Sequence, residues 1–208
     1  MSATESERRT HWETVYSTKQ PADVSWYQPE PELSLKLIRR TLVPRNAAIV
    51  DVGGGASTLV DHLVRGGFND LTVVDIAEPA LEHARRRLAA SAERVKWISA
   101  DVASWRPSRA VDLWHDRAAL HFLTDERDQR AYADVLRTTL RPGGWAIIGG
   151  FAPHGPLQCS GLDVVRHDAE SLTALLGKSF VLMETHGEIH VTPQGREQAF
   201  RFHLFSRR

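Results

Sequence analysis

Ala48-Ile49-Val50-Asp51-Val52-Gly53-Gly54-Gly55-Ala56-Ser57 is the stretch that decides the fold. Apolar residues run almost unbroken from Ala47 to Val52, which suits a central parallel strand covered on both faces. Three glycines then let the backbone turn sharply from strand to helix, and let a ligand sit against it with no Cβ in the way. The helix that follows puts Leu59, Val60, Leu63 and Val64 on one face and stops at Gly66-Gly67. Asp51 stands directly before the glycine turn.

Working outward, the same alternation repeats. Leu71-Thr72-Val73-Val74-Asp75 reads as a second strand ending in an acid, and residues 78–90 as a helix with Leu81, Ala84 and Leu88 on one side. Residues 95–100 form a third strand that delivers Asp101. Residues 111–114 form a fourth that delivers His115-Asp116-Arg117. A helix over residues 125–140 precedes the turn Arg141-Pro142-Gly143-Gly144, and a fifth strand spans 145–150. Such alternation implies right-handed crossovers and a mostly parallel sheet with helices on both faces. The rhythm then breaks. An irregular stretch, 151–167, leads to a short helix at 169–176 and to two strands, 180–191 and 198–206, joined through Pro193-Gln194-Gly195. These should pair as an antiparallel hairpin, giving an α/β fold with a seven-stranded mixed sheet.

Before the glycine turn, residues 5–16 are helical, with Trp12, Val15 and Tyr16 sharing a face. Prolines at 21, 29 and 31 argue against a regular element around Trp26-Tyr27. A helix from Glu32 turns Leu35, Ile38 and Leu42 inward and ends before Pro44. The whole, 1–208, reads as a single domain with residues 1–31 as an N-terminal arm.

Composition limits the partners. The 208 residues are 42% hydrophobic, enough for one well-cored domain. Lys+Arg and Asp+Glu are both 26, so the formal charge is zero, which argues against a nucleic acid or anionic membrane partner held by charge. One cysteine, Cys159, excludes an intramolecular disulfide and suits a reducing cytosol. No apolar signal core or membrane span is visible, so a cytoplasmic location is expected.

A glycine-rich turn alone is weak evidence, since it also serves as a plain strand–helix connection. Asp75 adds weight. It lies at a strand end some 20 residues beyond the glycines, where a carboxylate accepts both hydroxyls of a ribose. Asp101 adds a polar group to the same rim. Three acids in register favour an adenosine-containing cofactor, either a nicotinamide dinucleotide or S-adenosylmethionine. A dinucleotide wants a third glycine for close helix packing, and Thr58 stands there instead. Asp51 is also a poor neighbour for a diphosphate, but a good one for an ammonium and a sulfonium.

These motifs resemble the class I S-adenosylmethionine-dependent methyltransferases from Leu33 onward. Asp51-Val52-Gly53-Gly54-Gly55-Ala56-Ser57 looks like the family's first motif, with Ser57 where glycine is common. Asp75-Ile76 looks like its ribose-binding motif, Asp101-Val102 like its adenine-binding one, and the terminal hairpin like its last two strands. The resemblance implies a Rossmann-like fold with S-adenosyl-L-methionine held by these residues and by the backbone of His115. A narrower likeness, through Trp114-His115-Asp116-Arg117-Ala118-Ala119-Leu120 and the Trp12/Trp26 segment, is to the thiopurine and tellurite S-methyltransferases. It implies that the arm closes over the cofactor and that Arg117 faces a thiol or other chalcogen acceptor.

Each candidate also has a plainer role. Arg117 either stabilises an anionic nucleophile or pairs with Asp116 or Asp112. Asp116 either orients Arg117 or the acceptor, or is a plain turn residue at a strand end. His121 is a catalytic candidate or a packed helix histidine, and Cys159 an acceptor contact or a small packed residue. Trp26 either caps the sulfonium through its ring face or simply packs the arm. His154, Cys159 and His167 lack a metal-ligand spacing, so no metal is expected. The expected partner is a small-molecule substrate, with the protein monomeric or homodimeric. The competing readings are protein-lysine, amine or O-methylation on the same fold, an NAD-dependent oxidoreductase, and a non-catalytic cofactor-binding domain.

Overall fold

A computed structural model describes residues 4–208. The first helix, α1 (Glu5–Thr18), opens with a reciprocal cap: the Thr4 hydroxyl accepts from the Glu7 backbone N–H at 3.3 Å, and the Glu7 carboxylate accepts from the Thr4 N–H at 2.7 Å. It buries Arg8, Trp12, Val15 and Tyr16. A proline-punctuated segment leads to α2 (Glu32–Arg40), then to β1 (Ala48–Val52), in which every residue is buried. There follow α3 (Leu59–Arg65), β2 (Asp70–Asp75), α4 (Glu78–Leu88), β3 (Val95–Ser99) and β4 (Val111–Arg117). Then come α5 (Glu126–Thr139) and β5 (Leu140–Phe151).

The loop expected after the fifth strand contains a two-stranded ribbon, β6 (Gln158–Cys159) and β7 (Leu162–Asp163). The chain closes with α6 (Ala169–Leu176), β8 (Phe180–Val191) and β9 (Glu197–Arg207). The main sheet has seven strands in the order β3-β2-β1-β4-β5-β9-β8, with β5–β9 and β8–β9 antiparallel and the remaining neighbours parallel. Its order reverses between β1 and β4, which is where open α/β sheets form a ligand crevice at their carboxyl ends.

One boundary departs from expectation. Arg141–Gly144 is not a turn ahead of the strand but a bulge inside β5. Leu140 pairs with Val111, the ladder slips, and pairing resumes at Leu113 with Trp145. Gly143, at φ 78°, takes the left-handed conformation that the slip requires.

Strand alternation sends side chains to two cores. Ile49, Leu113 and Ile147 face the layer that holds α2 and α3, whereas Val50, Trp114 and Ile148 face the layer with α5 and α6. By the same alternation Asp51, His115 and Arg117 share the first face, and Asp116 lies on the second. The arm between α1 and α2 is held by buried Val24, by the Trp26 Nε1–H donated to the Tyr16 hydroxyl, and by its backbone. Carbonyls of Asp23, Ser25, Trp26 and Gln28 accept from Gln194, His190, Arg117 and Thr58 at 2.7–3.0 Å.

Candidate cofactor and acceptor site

Two adjoining cavities lie over the carboxyl ends of β1, β2 and β4. The first is walled by Gly53, Asp75, Ile76, Asp101 and Val102 on the sheet side, and by Trp12, Tyr16 and Trp26 from the arm. The second lies beside it, against Asp51, Gly53, Gly54, Ser57 and His115. Arg117 and Trp26 border both.

The glycines are needed where they stand. A Cβ on Gly53, at φ 64°, would lie 2.7 Å from the Ala119 Cβ. One on Gly54 would lie 2.5 Å from Asp51 Oδ2, and one on Gly55 would lie 2.5 Å from Asp75 Oδ2. The turn therefore packs directly against the two carboxylates. Ser57 caps the start of α3, its hydroxyl accepting from the Leu59 N–H at 3.1 Å.

The three strand-end acids sit in different surroundings. Asp75 Oδ1 accepts from the Ala77 N–H at 2.9 Å, and burial pushes its carboxyl up to about 7. Asp51 Oδ1 is 2.7 Å from His115 Nδ1, while Asp51 Oδ2 is buried with no hydrogen-bond partner among the described residues. Asp101 is fully engaged: Oδ1 accepts from the Ala103 N–H at 2.8 Å and Oδ2 from Arg8 Nη2 at 2.6 Å. Arg8 reaches Asp128 with its other nitrogen at 2.7 Å.

Residues 49–144, which carry this turn and these acids, match the protein family described as "Methyltransferase domain". This segment resembles a methyltransferase domain. Over 115 residues the chain is 31% identical to "EEF1A lysine methyltransferase 2" of Danio rerio, the match covering 51% of this chain and 48% of that protein. Over 103 residues it is 36% identical to a trans-aconitate 2-methyltransferase of Methylobacterium radiotolerans, covering 49% and 36%. The chain thus spans about half or less of the length of these relatives. Its fold is that of the N-methyltransferase NodS from Bradyrhizobium japonicum WM9, solved with S-adenosyl-L-homocysteine, at TM-score 0.71 and 18% identity over 96% of this chain and 97% of that one.

The residues around the two cavities fit S-adenosylmethionine, the cofactor that the matched family implies. A buried, unpartnered carboxylate oxygen on Asp51 suits an ammonium, the glycine turn leaves room for close approach, and Asp75 borders the first cavity. When bound, the cofactor supplies an electrophilic methyl group on a sulfonium.

Several expected roles need correction. His115 borders the second cavity, and its side chain is tied to Asp51 and Ser34. Asp116 is fully buried on the opposite face of β4 and borders neither cavity. Its oxygens accept from the Ala119 N–H, the Leu120 N–H and the Tyr132 hydroxyl at 2.7–3.0 Å, so it shapes the β4 turn and does not meet an acceptor. Asp101 borders the first cavity with each of its oxygens already accepting one hydrogen bond, from Ala103 and from Arg8. Cys159 borders the first cavity, but burial pushes its thiol up to about 11, so it stays un-ionised at neutral pH.

Arg117 pairs with neither Asp116 nor Asp112. Asp112 accepts from the Ala48 N–H at 2.7 Å and bridges to Arg141. Arg117 donates Nη1 to the Trp26 carbonyl at 3.0 Å, lies 4.7 Å over the Phe200 ring, and has Nη2 3.9 Å from Glu188. Its Nε and Nη2 have no hydrogen-bond partner among the described residues. His121 packs edge-on to Phe122 and Phe151, with both ring nitrogens unpartnered. Burial, with Arg117 adding to it, pushes His121 down to about 3, so it is neutral and no base at physiological pH.

Sequence reasoning missed Arg8, Ser34 and Phe200. Arg8 carried a readable signal, since it lies one helical turn before Trp12 on the face that Trp12 shares with Tyr16. Ser34 and Phe200 carried none, because their partners are distant in sequence.

Proposed function

We propose that the protein transfers a methyl group from S-adenosylmethionine to a small-molecule acceptor held under the arm, with a thiol sulfur or another chalcogen as nucleophile. Methyl transfer from a sulfonium is an in-line displacement that disperses charge. The protein's task is to align nucleophile, methyl carbon and sulfur in a site shielded from water. Trp12, Tyr16 and Trp26 line the first cavity from the arm side, which supports a small acceptor over a folded protein.

The observation that carries the acceptor class is the buried guanidinium of Arg117 at the border of both cavities, whose Nε and Nη2 make no hydrogen bond among the described residues and whose nearest carboxylate, Glu188, stands 3.9 Å from Nη2. Such a cation favours an anionic nucleophile and disfavours an amine, whose methylated product would add a second cation beside it. His121, neutral, accepts no proton in its place. The acceptor therefore arrives deprotonated, which a thiol with an ordinary pKa near ~8.5 can do with modest help. Incubation with methyl-labelled cofactor and a panel of small thiols, selenide, carboxylates and amines tests this. Labelled thioether or selenoether is the expected product. Turnover confined to amines or to protein lysine removes the chalcogen reading.

A further inference from the structure

Behind the second cavity lies a buried hydrogen-bonded chain that the reaction itself does not use. Asp51 on β1 and His115 on β4 are direct partners in the parallel ladder. Their side chains meet on the face covered by α2, at 2.7 Å from His115 Nδ1 to Asp51 Oδ1. On the far side of the ring His115 Nε2 is 2.9 Å from the hydroxyl of Ser34, the third residue of α2. A carboxylate only accepts, so Nδ1 carries the proton and Nε2 accepts from the Ser34 hydroxyl. Ser34, His115 and Asp51 are 1%, 2% and 4% exposed.

The trio has the order of a hydrolytic serine–histidine–aspartate set. Ser34, however, borders neither cavity, so no substrate reaches its hydroxyl. The open end of the chain is at Asp51. Its Oδ2 is the one carboxylate atom of the trio without a partner among the described residues, and Asp51 borders the second cavity. A buried carboxylate oxygen left unpaired is costly, and an unligated protein retains it only where something else repays the cost. Gly54 keeps the space at Oδ2 clear, since a Cβ there would stand 2.5 Å away.

We propose that Ser34 and His115 are positioning residues: by fixing Asp51 Oδ1 they keep Oδ2 turned to the second cavity and so set the affinity for the ammonium-bearing end of the cofactor. This rests on the S-adenosylmethionine reading, and the test separates the two. Calorimetry is run with S-adenosylhomocysteine, which carries the amino-acid end, and with methylthioadenosine, which lacks it.

His115→Leu should weaken S-adenosylhomocysteine by about tenfold to a hundredfold, the usual range for losing a hydrogen bond to a charged group, and leave methylthioadenosine unchanged. His115→Asn, whose amide nitrogen takes the place of Nδ1, should recover most of that loss, and Ser34→Ala should show a smaller loss of the same kind. Unchanged methylthioadenosine binding doubles as evidence that each variant is folded. Equal losses for both ligands, or none for either, overturn the positioning role while leaving the cofactor reading intact. Absence of binding by the wild-type protein overturns both.

Discussion

Arg8 on α1 and Asp101, just past β3, form a 2.6 Å ion pair in which both side chains are more than nine-tenths buried. With Arg8 also 2.7 Å from Asp128, this one side chain ties the first helix to two separate parts of the domain. Arg8→Met should cost about 3–5 kcal/mol, because it leaves Asp101 buried without its cation. Adding Asp101→Asn should recover much of it. Urea unfolding of the single and double variants measures both; a double variant no more stable than Arg8→Met would mean that the stranded charge is not the source of the loss.

Asp75 should make cofactor binding depend on pH if its carboxylate holds the ribose. Burial raises its carboxyl from 3.8 to about 7, so the ligand-free folded chain holds a proton there that the unfolded chain has already lost. The folded state binds more protons between those values, so its stability falls as pH rises from about 4 to about 7. Ribose hydroxyls donate to the ionised carboxylate, so affinity for S-adenosylhomocysteine should rise over pH 6 to 8. Asp75→Asn should flatten that profile. Titrations across this range check both, and a wild-type affinity independent of pH contradicts the ribose role.

Gly53→Ala combines two penalties, a left-handed φ of 64° and a Cβ only 2.7 Å from that of Ala119. A loss of about 1–3 kcal/mol in stability is expected. Cofactor affinity should fall too, since relief of the clash moves the turn away from β4. Thermal unfolding with and without S-adenosylhomocysteine reads both effects.

Asp116→Asn and Cys159→Ala should separate structure from chemistry. The asparagine places an amide donor among three groups that already donate to Asp116, which should cost about 1–3 kcal/mol in stability while leaving the turnover of folded enzyme close to wild type. Cys159→Ala should retain activity, because the thiol it removes is un-ionised at neutral pH. A large fall in kcat for folded Cys159→Ala would return the cysteine to the chemistry.

What was legible in the sequence was whatever neighbours in the chain determine. β1 and its glycine turn, α6 with its stop at Gly177, and the closing hairpin lie where periodicity and turn residues put them. The acids at the tips of β1 and β2 follow from the same alternation. The rest depends on partners far along the chain. Arg141–Gly144 reads locally as a turn, and only the pairing of Leu140 with Val111 makes it a bulge. Asp116 differs from Arg117 by one position, hence by one face of the sheet, and the anchor that fully engages it, Tyr132, lies in α5. Nothing beside His115 in the chain marks its partners, since Ser34 lies 81 residues away.

The grip on residues 23–28 combines four main-chain oxygens with the buried Val24 side chain and the Trp26 Nε1–H donated to the Tyr16 hydroxyl. Exposed Asp23, held through its carbonyl, is therefore a position whose side chain can be rewritten without loosening that fastening. Since Trp26 borders both cavities, a new choice there would reshape what the enzyme admits as well as the fastening.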